Sequence, residues 1–275
     1  MHIRTTVRAV IAAGLVGIIA GCAPVGPEAG GAAPDAQKSK KARPGAGAEK
    51  VRYASAERLP ERIASDGTTI EVGNPAARST VHAYEDPRCP AVEMYERTGA
   101  GAVHKLVLGG EIKTEYTFAS FKDDRLGGNG SKRAVNALRA ALEKGKFVEY
   151  HAVIFKNQAA VESSGGFTVQ RLLKLADKVP GLRGEAFDRA VRTMKYRSFV
   201  TASQQAYQQT GDDPIGPGTP TVVVNGHTIN NGLWHVNFDP SLLRSLVTEL
   251  HDSPGLWDLV YKPYRDEVQD ESLEP

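Results

Sequence analysis

Cys89 is the residue most able to do chemistry. It stands in Tyr84-Glu85-Asp86-Pro87-Arg88-Cys89-Pro90-Ala91-Val92, between an apolar run and a segment with helical spacing. A cysteine where a strand hands over to a helix N-terminus sits beside unpaired backbone N–H groups and the positive end of the helix dipole. Both favour a thiolate over a thiol. Pro90 suits the first turn of that helix, where its missing N–H costs nothing. The expected thiol is partly exposed and nucleophilic. The bland alternative is a cysteine packed as a small apolar side chain.

The other candidates are weaker. The chain has two cysteines, Cys22 and Cys89, which excludes a disulfide-rich scaffold and a multi-cysteine zinc site. Its histidines are His2, His82, His104, His151, His227, His235 and His251, and none forms a His-x-x-x-His pair. A metal site would have to be assembled from distant residues, so no metal is expected. His82 could pair with a thiolate, but a buried strand histidine bonded to backbone is the plainer reading. There is no Gly-x-Ser-x-Gly, phosphate loop or dinucleotide fingerprint, and no cofactor is expected. Without residues 1–21, which carry Arg4 and Arg8 and no acid, 32 basic residues face 32 acidic ones. That balance excludes nucleic acid as an obvious partner.

The elements that must position Cys89 follow from periodicity. Tyr53 to Ala64 reads as a short helix and Thr68 to Val72 as a strand. Thr80 to Tyr84 is the strand before the cysteine, and Val92 to Leu108 the helix after it, ending at Gly109-Gly110. Ile112 to Phe118 alternates as a half-buried strand. Ser131 can cap a helix running to about Lys144. Phe147, Tyr150, His151, Ile154 and Phe155 form one stripe of the next helix. Thr168 caps a third helix, and Glu185 to about Gln209 is helical in one or two pieces. Val222-Val223-Val224, Asn225-Gly226 and His227-Thr228-Ile229 read as a hairpin on a type I′ turn. Phe238 to His251, capped near Asp239 or Ser241, is the last helix. Trp257 and Tyr261 could pin part of the tail.

This order, with Asp86-x-x-Cys89-Pro90, resembles the DsbA-like branch of the thioredoxin superfamily. Further marks are Gly218-Thr219-Pro220-Thr221 before the hairpin, Ser131-Lys132-Arg133-Ala134-Val135-Asn136-Ala137, and Phe147-Val148-Glu149-Tyr150-His151. The resemblance implies an α/β thioredoxin-like fold with a helical insertion at about 128–210, inside a domain spanning 51–252. It implies Cys89 as the attacking thiol with Pro90 beside it. It also implies a cis Pro220 facing that thiol, with Thr219 offering backbone groups to an extended peptide. Members carry a second, resolving cysteine where this chain has Val92. Two functions stay open: a thiol–disulfide oxidoreductase working through Cys89 alone, and a redox-silent module that binds peptides beside Pro220.

Residues 1–21 read as a targeting segment, with an apolar stretch too short to span a bilayer as a mature helix. Ile19-Ala20-Gly21-Cys22 resembles a bacterial lipobox, which implies a lipid on Cys22 and the outer face of the cytoplasmic membrane; simple secretion is the alternative. Residues 22–50 are rich in Pro, Gly and Ala and read as a flexible tether. Residues 253–275 form a C-terminal tail. The expected partners are extracytoplasmic proteins bearing cysteines or extended segments, a small thiol or redox partner, and the membrane itself.

Overall fold

A computed structural model describes residues 51–211 and 216–265. The expected targeting segment, the expected tether with Cys22, and the end of the tail lie outside the described residues.

Six strands make one sheet: β1 (Glu61–Ile63), β2 (Thr69–Gly73), β3 (Ser79–Glu85), β4 (Ile112–Phe118), β5 (Thr221–Val224) and β6 (His227–Thr228). Their spatial order is β1-β2-β4-β3-β5-β6. β3 and β4 are parallel and set Glu85 opposite Phe118, whereas β5 runs antiparallel to β3 with Thr221 opposite Tyr84. A parallel pair needs a crossover. It is supplied by α1 (Pro90–Arg97) and α2 (Ala100–Leu108). Along β3, Ser79, Val81, Ala83 and Glu85 are buried and the residues between them are half-buried. A carboxylate at the end of a buried apolar row is the first sign of special chemistry there.

Among the described residues, six helices stand between β4 and β5: α3 (Lys122–Leu126), α4 (Gly130–Leu142), α5 (Phe147–Ser163), α6 (Val169–Ala176), α7 (Glu185–Thr193) and α8 (Arg197–Gln208). The stripe Phe147, Tyr150, His151, Ile154 and Phe155 is buried throughout, as the spacing predicts. The last long helix is α9 (Pro240–Asp252), capped by Asp239, whose carboxylate accepts from the amides of Ser241 and Leu242. Thr168 caps α6 through the Arg171 amide. Asn225 and Gly226 have φ of 50° and 86°, as a type I′ turn requires. Trp257 is buried and stacks on His227 with centroids 4.5 Å apart.

Three local expectations need correction. Tyr53 to Ala64 is not a helix: Ala56–Arg58 makes one 3-10 turn and Glu61–Ile63 joins the sheet edge. Glu61 earns its place there by accepting from the Phe147 and Val148 amides, capping α5 from a distance. The helix from Val92 to Leu108 is two helices, broken at Thr98-Gly99. Gly99 lies so close to the Asn237 carbonyl that a Cβ would fall 2.0 Å from its oxygen, so only glycine fits the break. Ser131 does not cap α4. Its hydroxyl is used elsewhere, and Asp123 accepts from the Ser131 and Lys132 amides instead.

Candidate active site

Cys89 is the N-cap residue of α1, with extended backbone and Pro90 as the first helical residue. Sequence reasoning places it there correctly, but its exposure is a correction. Cys89 is only 4% exposed, not partly open. Its thiol donates to the Thr219 carbonyl at 3.2 Å, and that residue precedes a cis peptide bond to Pro220. Cys89, Pro90, Thr219 and Pro220 are thus brought together as the sequence implies, across 130 positions of chain. Pro90 lies on the exposed side and Pro220 is buried.

Two devices set the Thr219 loop. The Gly218 amide donates to the Tyr207 hydroxyl at 3.0 Å, and the Thr221 hydroxyl donates to the Gly218 carbonyl at 3.0 Å. Gly216 passes so near the Tyr207 ring that a Cβ would approach it to 2.3 Å. Phe121 stacks on that ring, with centroids 5.5 Å apart.

Beneath the sulfur the surroundings are apolar. Cys89 packs with fully buried Val92 and with Phe155 in a small cluster of their own. Val92 fills the place of a resolving cysteine with a β-branched side chain, and Cys89 is a free thiol.

The loop carrying Cys89 is held by a buried polar knot. Asp86 accepts from the Arg88 amide at 2.9 Å, the Lys122 amide at 2.9 Å and the Ser131 hydroxyl at 2.6 Å. Burial nevertheless pushes the Asp86 carboxyl up to about 6, against the pull of those bonds. Arg88 donates to Asp123 and Glu162, both at 3.0 Å, and to the Gly127 carbonyl at 2.9 Å. The Cys89 loop is therefore bolted to α3, α4 and α5. Sequence reasoning missed Arg88, Asp123 and Glu162, and only Arg88, lying inside the motif, gave any signal.

His82 does not reach Cys89. Its Nε2 lies 2.9 Å from the Thr117 hydroxyl and its ring stacks on Tyr84, so its partner is a side chain rather than backbone. Glu93, close to Cys89 in sequence, pairs with Arg97.

A second cluster lies one helical turn from Val92 on α1 and from Phe155 on α5. His151 Nε2 is 2.7 Å from Glu85 Oε2, and His151 Nδ1 is 3.6 Å from Glu96 Oε2. All three side chains are at most 4% exposed. Burial pushes Glu85 up to about 8 and, with Glu85 close by, holds Glu96 well above the carboxylate range. Burial lowers His151, against the pull of Glu96. At neutral pH the cluster thus favours uncharged groups. It was legible in part: Glu96 falls four residues after Val92 on the inward face of α1, and His151 interrupts the apolar stripe of α5.

A thioredoxin family model matches residues 65–238. Among solved structures, the chain is similar to MdbA, a thiol-disulfide oxidoreductase from Actinomyces oris, at 20% identity and TM-score 0.55, covering 71% of this chain and 90% of that one. It is similar to BdbD from Bacillus subtilis at 20% identity and TM-score 0.55, covering 66% and 92%. It is similar to the disulfide bond oxidoreductase DsbG from Mycobacterium tuberculosis at 24% identity and TM-score 0.52, covering 73% and 93%. No curated protein sequence matches. With its parallel β3–β4 pair, cysteine-capped α1, cis Pro220 and inserted helices, the chain belongs to the thioredoxin family and has the DsbA-like form of its fold.

Proposed function

We propose that this protein is a single-cysteine thiol–disulfide exchange factor, held at the outer face of the membrane by a lipid on Cys22. The observation that carries the reading is the Cys89 sulfur beside the Thr219 carbonyl and Pro220. A substrate segment pairing along the Thr219 edge would bring its disulfide to that sulfur. The Cys89 thiolate attacks one substrate sulfur, an S–S bond forms to Cys89, and the other substrate sulfur leaves as a thiolate and takes a proton. With Val92 in place of a resolving cysteine, the mixed disulfide persists until an outside thiol attacks it. That thiol, from a small molecule or a partner protein, restores Cys89 and leaves in disulfide linkage with the substrate. The substrates are extracytoplasmic proteins with cysteines in extended segments.

The burial of Cys89 favours a second reading, a redox-silent module that binds extended peptides beside Pro220. One experiment separates them. The full chain is mixed with a peptide disulfide at neutral pH, with Cys89→Ser as the blank. A stable mixed disulfide, absent in the blank and released by added thiol, is the expected result. No adduct on the folded chain, with ready reaction once it is unfolded in urea, overturns exchange chemistry and leaves the binding module.

A further inference from the structure

The cluster beneath Cys89 has a composition that exchange chemistry does not use. Glu85 comes from the end of β3, Glu96 from α1 and His151 from α5. One donor atom from each lies within 4.8 Å of the others. Oε1 of Glu85 and Oε1 of Glu96 are buried and accept from no other donor, so the two carboxyls are left to face each other. Buried carboxyl oxygens are rarely left so, because each forfeits its hydration. Among the described residues no lysine or arginine pairs with either carboxyl; His151 is their ion-pair partner.

We propose that Glu85, Glu96 and His151 bind one divalent first-row transition-metal ion. Two carboxylates and a neutral imidazole balance a charge of +2, so the loaded centre is neutral overall and tolerates its dry surroundings. One nitrogen and carboxylate oxygens suit Zn²⁺ or Mn²⁺, and the Irving–Williams order puts Zn²⁺ tighter. The two orphaned oxygens gain a partner when the carboxylates turn onto the ion. A cleft of about 330 Å³, lined by Glu96, Arg97, His104, Ala152, Phe155 and Lys156, borders the Glu96 side of the cluster. The ion would tie β3, α1 and α5 together behind the cysteine.

The test uses the full chain stripped of metal by chelator and titrated with Zn²⁺ and then with Mn²⁺. One equivalent of Zn²⁺ should bind and raise Tm by about 5–10 °C at a free concentration a hundred times Kd. Mn²⁺ should bind at the same site more weakly. Glu96→Gln, which keeps the shape of the side chain, should weaken Zn²⁺ at least tenfold, with a metal-free Tm near that of the parent. Should that variant fail to fold, X-ray absorption of the parent's bound Zn²⁺ still decides: a shell of nitrogen and oxygen is expected. A sulfur neighbour from Cys89, binding indifferent to Glu96→Gln, or no stoichiometric binding of either ion would overturn the site.

Discussion

Two successive layers lie between β3, α1 and α5, one helical turn apart, and they are opposites. The upper is Cys89, Val92 and Phe155, an apolar packing with one sulfur. The lower is Glu85, Glu96 and His151, polar, with side chains at most 4% exposed. Val92 and Glu96 are four residues apart on α1, as are Phe155 and His151 on α5. The same helix faces thus serve both layers. Among the described residues no hydrogen bond joins the lower layer to Cys89; the thiol's bond goes sideways to Thr219. The thiol is thus oriented by the Thr219 edge, while the polar layer below makes no hydrogen bond to it among the described residues.

Removing the lower layer's polarity should have the largest effect. His151→Phe keeps the ring but strips two buried carboxyls of their partner, and should cost about 2–5 kcal/mol in urea unfolding. A loss below 1 kcal/mol would mean the carboxyls find other partners and the layers differ less than drawn. Acid comes next. His104 lies beside this layer, with Nε2 3.2 Å from the Tyr116 hydroxyl, and burial pushes it down to about 4. A folded value below the unfolded one, about 6.5, gives stability that is whole above pH 6.5 and lost as pH falls toward 4. The loss should reach about 3 kcal/mol, and His104→Gln should flatten that slope; an unchanged slope would assign acid sensitivity elsewhere. The smallest effect belongs to the upper layer. Val92→Cys replaces two buried methyls by one sulfur and should cost about 0.5–1.5 kcal/mol in the reduced state, like other one-methyl truncations. Its consequence is chemical: a disulfide with Cys89 should form on mild oxidation, and mixed disulfides should resolve without outside thiol. Persistence of the adduct in that variant would show that Phe155 and its neighbours, rather than a missing sulfur, block resolution.

Much of the fold was legible because its signals are local. The Asn225-Gly226 turn, the Thr168 and Asp239 caps and the α5 stripe each need only a few adjacent residues. The Cys89–Pro220 pairing was legible through the family motif, since nothing local links positions 130 apart. The break at Gly99 was hidden because its cause, the Asn237 carbonyl, is remote in sequence. The Asp86–Arg88–Asp123–Glu162 knot was hidden for the same reason. Ser131 was misassigned because its hydroxyl has two possible jobs, and the buried Asp86 takes it ahead of the helix end. The lower layer was half visible: charged residues on inward helix faces mark it, but only the fold shows that they meet.

The Thr219 contact also has a consequence in time. Cys89 is shielded by a residue 130 positions downstream, and its loop is bolted to Glu162, 74 positions downstream. A chain made N-terminus first at about 5–20 residues per second exposes the thiol for roughly 6 to 26 seconds before its cover exists. In that interval the sulfur is as open as any in an unfolded chain. Cys89 of the nascent chain is thus more accessible to thiol reagents than that of the finished protein.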